Sequence, residues 1–168
     1  MDGRITEICC NLLWRYLINK SKLLFTETDK KGINQKKITQ YPESIFIVGM
    51  PRSGSTLVES IISMNSEVFD LGEINILEES FLQQKNFDNE FTLTDIYWNK
   101  ISKYTDNFYI TTNKWLYNYQ YAGIISREIK NAKIIHCFRN PLDNILSIYR
   151  ANFTRDNEFS SSLSLIHI

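Results

Sequence analysis

The stretch "IFIVGMPRSGSTLVESII", residues 45–62, places two glycines, one arginine and three hydroxyls between an apolar run and an amphipathic one. Gly49 and Gly54 have the Walker A spacing, and Ser53, Ser55 and Thr56 supply hydroxyl donors. In a strand–loop–helix unit, the N–H groups of the loop and first helical turn converge on one point. The helix dipole adds partial positive charge there. Glycine lets the chain approach an anion closely, and Arg52 contributes a planar, permanently charged fork. A Walker A loop needs Lys before its Ser or Thr to hold the β- and γ-phosphates, and that position is Ser55 here. The loop is therefore predicted to bind an anion, with the charge supplied by Arg52 instead of a lysine.

The elements around this loop have to hold it in place. Ile45–Val48 is an apolar run of strand length, of the kind covered on both faces. Leu57, Val58, Ile61, Ile62 and Met64 follow at helical spacing. "EVFDLGE" (67–73) reads as a second strand ending at Gly72, and residues 75–104 as a helix in two pieces broken near 86–90. "NFYITTNK" (107–114) alternates like a strand, 117–130 is helical, and "AKIIHCF" (132–138) is predicted as the clearest buried strand. Leu142, Ile145, Leu146 and Tyr149 define a helix whose apolar face is predicted to meet that strand. Strands alternating with helices predict an α/β fold, three layers with a mostly parallel central sheet flanked by helices.

Composition sets the outer limits. A chain of 168 residues accommodates one domain with a real core. Its formal net charge of zero provides no global field for nucleic acid or an anionic membrane, so an anion site must be local. Three cysteines, Cys9, Cys10 and Cys137, give neither a disulfide framework nor a metal-ligand spacing, and read as reduced thiols of a cytoplasmic protein. No apolar run approaches the ~20 residues of a membrane span, and the stretch at 8–18 carries Asn11 and Arg15 without a cleavage-like flank. Residues 5–25 show helical spacing and 26–44 a polar, lysine-rich linker, dividing the chain into an N-terminal segment (1–40) and a main domain (41–168). The ending "FSSSLSLIHI" lacks a closing element and reads as a true terminus or as a truncation.

"GMPRSGSTLVE" resembles the 5′-phosphosulfate loop of sulfotransferases, enzymes that use 3′-phosphoadenosine 5′-phosphosulfate (PAPS) as donor. It is most like the branch of tyrosylprotein sulfotransferases and bacterial sulfotransferases with tetratricopeptide repeats. A second match, "KIIHCFRNPLDNILSIYRANF" (133–153), resembles the family's 3′-phosphate segment, a strand ending in Arg-Asn/Asp-Pro that runs into a helix. The resemblance covers residues 45–153. It implies PAPS as co-substrate, held by Arg52, Ser53, Gly54, Ser55 and Thr56 at one end and by Arg139 and Ser147 at the other. It implies Glu73 in "DLGEINIL" as the general base, with Lys114 in "TTNKW" and Arg52 as catalytic charge stabilisers. It further implies a hydroxyl-bearing acceptor (peptide tyrosine, carbohydrate or small molecule) and no metal, while the zero net charge leads to the expectation of no nucleic acid or membrane partner. No tetratricopeptide consensus is readable in residues 1–40, and the C-terminal portion with which the family closes over the nucleotide is missing from the pattern.

Plainer readings stay open at this point. Glu73 also suits a solvated carboxylate at a helix entry, Lys114 a surface lysine, and Ser147 an ordinary helix-face hydroxyl. Arg139 could pair with Asp143, and His136 is expected as a core histidine. Trp115 or Tyr117 is a candidate to stack on adenine or acceptor. A P-loop kinase explains the strand–loop–helix but fails at Ser55 and leaves Arg139 and Ser147 without a purpose. A catalytically incomplete remnant of the same family is the other alternative.

Overall fold

The computed structural model describes residues 41–86, 91–105 and 109–151. The expected N-terminal helix, Cys9, Cys10 and His167 lie outside these residues. Four strands, β1 (Glu43–Gly49), β2 (Val68–Asp70), β3 (Ile110–Asn113) and β4 (Ala132–Cys137), form one sheet in the order β2-β3-β1-β4. Every pairing is parallel, with Glu43 opposite Ile110, Ser44 opposite Ala132, and Val68 opposite Ile110. The helices are α1 (Ser55–Ile62), α2 (Ile76–Asn86), α3 (Leu93–Ile101), α4 (Ala122–Glu128) and α5 (Pro141–Ala151), with a 3-10 turn at Leu116–Tyr121 before α4. The predicted α/β fold is therefore correct, a parallel sheet between helical layers.

Alternation along β3 defines the two faces. The Thr111 hydroxyl donates to Ser44 Oγ at 3.4 Å, and Ser44 Oγ lies 2.8 Å from Tyr97 Oη on α3. Asn113 also faces that side, donating to the carbonyl of Ile74 at 3.2 Å. Thr112 points the opposite way and donates to Glu59 on α1 at 3.1 Å. The main core lies on the α3 side, where Phe46, Leu77, Leu93, Tyr97, Ile101, Tyr121 and Ile125 are essentially fully buried. Thr92 caps α3, accepting from Asp95 N while Asp95 accepts from Thr92 N.

The Ser44–Tyr97–Thr111 cluster is the polar weak point of that core. Tyr97→Phe leaves Ser44 Oγ with only the longer Thr111 bond. The expected loss is about 1–3 kcal/mol, read as a lower urea midpoint at an unchanged slope.

Several elements differ from the sequence reading. β1 begins at Glu43, inside the expected linker, and β2 stops at Asp70, short of Gly72. The segment predicted as one helix over 117–130 is a 3-10 turn followed by α4. β4 is not the best-buried strand. Ile134 is 38% exposed and His136 is exposed, so His136 is no core histidine. The cause is position. β4 is an edge strand of the described sheet, and a continuous apolar run does not encode whether a strand is central. On α5, Leu142, Leu146 and Tyr149 are exposed while Asn144 and Ile148 are buried, so the helix is rotated away from its predicted apolar face. The Asn144 side chain, which donates to the Pro51 carbonyl at 2.8 Å, sets that rotation. Among the described residues, no helix is long and apolar enough to cross a membrane.

Candidate functional site

All four strands are parallel, so their carboxyl ends share one edge of the sheet, and every site residue expected from the sequence lies there or in the helix that follows. In open parallel sheets ligands bind outside this edge, where neighbouring connections run in opposite directions. The connection leaving β1 leads to β2 on one side, while the connection leaving β3 leads to β4 on the other.

The loop after β1 is shaped by its backbone. Gly49 has φ +149° and Gly54 φ +97°, and Arg52 itself takes a left-handed φ of 66°. Gly49 sits opposite Cys137, and a Cβ at Gly49 would lie 2.4 Å from the Cys137 carbonyl oxygen. Only glycine lets β1 and β4 approach this closely at the mouth of the loop. Gly54 is the N-cap of α1 and carries no side chain to cap it. The first helical N–H groups are thus left open to an outside acceptor. Ser53 N donates to the Met50 carbonyl at 3.2 Å, while Ser53 Oγ is buried with no hydrogen-bond partner among the described residues. Ser55 is buried and Thr56 exposed. An orphaned hydroxyl beside an uncapped helix start fits an anionic oxygen, so the loop suits the phosphate end of a nucleotide such as PAPS.

The second predicted segment meets the first. Arg52 Nε donates to Ser147 Oγ on α5 at 3.2 Å, and Arg139 Nη1 donates to the Arg52 carbonyl at 3.3 Å. Asn140 starts α5 as a local cap, its Oδ1 accepting from Leu142 N at 3.0 Å. Arg52, Arg139, Asp143, Ser147 and Arg150 line a groove of about 370 Å³, three guanidiniums against one carboxylate. Among the described residues Arg139 forms no ion pair with Asp143. Arg150 was missed at the sequence level, although its position three residues after Ser147, one helical turn on, was a usable signal.

Glu73 and Lys114 also come together. Lys114 Nζ donates to Glu73 Oε1 at 2.5 Å. Lys114 is 5% exposed, whereas the Glu73 side chain is 61% exposed. The Lys114 backbone N–H bonds the Gly72 carbonyl at 2.8 Å, tying the end of β3 to the loop after β2. Asn113, fully buried, braces the turn by accepting from Trp115 N and from Asn118 Nδ2. The Trp115 and Tyr117 rings lie 5.5 Å apart beside it. Lys114 is therefore no surface lysine; it is held in the interior of the turn.

One further carboxylate faces Lys114. Glu59, on the α1 face that meets the sheet, is 3% exposed and its Oε2 lies 3.8 Å from Lys114 Nζ. Burial pushes its carboxyl up to about 7, reinforced by a hydrogen bond and charge from Asp70 and opposed by Thr112 and Lys114. The sequence reading gave Glu59 no role, though an acidic residue inside the run Leu57–Ile62 was a visible anomaly.

Comparison with known proteins agrees with this geometry. The profile of the sulfotransferase domain matches residues 42–162, most of the chain, which belongs to that family. An uncharacterized protein of Aquifex aeolicus (strain VF5) is 27% identical over 161 residues, covering 83% of this chain. The chain spans 21% of that protein's length.

Proposed function

We propose that this domain transfers a sulfuryl group from PAPS to an acceptor hydroxyl. One observation carries the reading. The Arg52 loop and the Arg139–Ser147 segment, 87 and 95 residues apart in sequence, are bonded to each other at the sheet's carboxyl edge. A donor with a 5′-phosphosulfate and a 3′-phosphate on one adenosine calls for two anion-binding segments side by side, and a kinase has no use for the second. When bound, PAPS supplies an activated sulfuryl group on a phosphate leaving group.

The chain's own residues do the rest. Ser53, Gly54, Ser55 and Thr56 hold the 5′ end through backbone N–H groups and hydroxyls, and Arg139 and Ser147 hold the 3′-phosphate. Arg52 and Lys114 stabilise charge on the sulfate and the bridging oxygen, each such preorganised donor lowering the barrier by roughly 3–4 kcal/mol. Glu73, with its side chain open to solvent, takes the proton of the acceptor hydroxyl as general base. Positioning and electrostatics supply most of the rate, as in phosphoryl transfer. Peptide tyrosine is the acceptor used in the branch that residues 49–59 resemble. Carbohydrate and small-molecule hydroxyls present the same oxygen. A cytoplasmic location belongs to the same reading.

Thermal melting with adenosine 3′,5′-bisphosphate, and separately with ADP plus magnesium, tests the donor. At 100 times its dissociation constant a ligand stabilises by about 2.7 kcal/mol, so the bisphosphate is expected to raise Tm and ADP is not. A larger shift with ADP would point to a kinase. No shift with either would remove the donor site and, with it, the proposed activity.

A further inference from the structure

Two carboxyl groups approach Lys114, and the proposed reaction uses only one of them. Glu73 meets it at 2.5 Å on the open side, and Glu59 approaches at 3.8 Å from the interior. Asp70, at the end of β2, faces Glu59 in turn. Glu59 and Asp70 are each held by a further bond. Glu59 Oε1 accepts from Thr112 on β3 at 3.1 Å, and Asp70 Oδ1 accepts from Gly72 N at 2.6 Å. Glu59 is the one buried acidic residue among those described, and it comes from the same helix that opens at the anion loop.

We propose that Glu59 is the positioning residue for Lys114, joined to Thr112 and the more exposed Asp70 in a floor that holds the ammonium against Glu73. A lysine has four rotatable bonds and strongly hydrated charge, so its head stays at one point only when the surroundings hold it there. Two carboxyls on one ammonium, with Asp70 beside the buried one, leave excess negative charge, which is relieved when one carboxyl keeps a proton. Glu59, the buried member, keeps it. A neutral Glu59 braces Lys114 without cancelling its charge, so that charge stays available on the open side. The kinetic part of this inference rests on the proposed sulfuryl transfer; the placement of Lys114 does not.

The test compares Glu59→Gln with Glu59→Ala. Glutamine keeps the size and the ability to bond Thr112 and Asp70 without a proton to lose, whereas alanine removes the floor. Acetic anhydride labelling read by mass spectrometry, with exposed Lys103 as internal reference, is expected to find Lys114 protected in wild type and E59Q and labelled in E59A. In turnover, E59A should lose kcat by about 10–100-fold, the scale of a catalytic group misplaced by about an ångström, with the melting shift from the bisphosphate unchanged. E59Q should restore kcat.

A third measurement needs no alanine variant. The folded value of Glu59, about 7, stands above its ordinary 4.5, so the stability it contributes is complete below pH 4.5 and lost as pH rises through 7. Wild type should therefore lose stability relative to E59Q across that window. Protected Lys114 in E59A, equal damage from E59Q and E59A, or a flat stability difference would each overturn the proposal. A wild type without turnover would instead count against the sulfotransferase reading, and the labelling and pH measurements would still decide the role of Glu59.

Discussion

Glu73→Gln is expected to lower kcat by about 10²–10⁴, the usual contribution of a general base, and to leave nucleotide binding unchanged. The two effects separate because of where Glu73 sits. Its side chain is more than half exposed on the loop after β2, and its contact is with Lys114, while the anion-binding loop and Arg139–Ser147 are built from other elements. Glutamine still accepts a hydrogen bond from Lys114 Nζ but cannot take up the acceptor's proton. Turnover with a phenolic acceptor and melting with adenosine 3′,5′-bisphosphate measure the two effects separately. Loss of the melting shift in E73Q would assign Glu73 to donor binding, and undiminished turnover would remove it from the chemistry.

Gly49→Ala is expected to be the most destabilising single-methyl change in the loop. Its Cβ would stand 2.4 Å from the Cys137 carbonyl oxygen and 3.1 Å from Ser53 Oγ, at a φ of +149° that side chains rarely adopt. The first contact is with backbone, so relief requires β1 and β4 to separate at their ends. Overpacking costs about 1–3 kcal/mol and a sparsely populated backbone conformation about 1–3 more. The total, about 2–6 kcal/mol, is a large part of the ~5–15 kcal/mol stability of a typical domain. Gly54→Ala is the control. Its φ of +97° is also unfavourable, but a Cβ there meets nothing within 4 Å. It should cost only the left-handed backbone term, about 1–2 kcal/mol. Urea denaturation of both variants isolates the clash. Equal losses would mean that the β1–β4 approach at Gly49 is looser than the geometry requires.

The sequence by itself determined the local parts of this protein. The strand at Ile45–Val48, the Gly49–Gly54 loop and the start of α1 are legible because short-range chemistry specifies them, through an apolar run, a glycine-permitted turn and helical spacing. Glu73, Lys114 and Arg139 could be named from the sequence for the same reason, since each lies within three residues of the end of β2, β3 or β4. The tertiary structure decided what depends on neighbours distant in sequence. Pairing of β1 with β4 brings Arg52 to Ser147, and its counterpart with β3 brings Glu59 to Thr112 and Lys114. The edge position of β4 exposed His136, and the bond from Asn144 to Pro51 turned α5 away from its predicted face. A hydrophobic pattern records how much apolar surface an element has, but not which element will cover it. Glu59 shows the limit most clearly. Its place in an apolar run marked it as unusual, and only the packing of α1 against the sheet gave it Thr112 and Lys114 as partners.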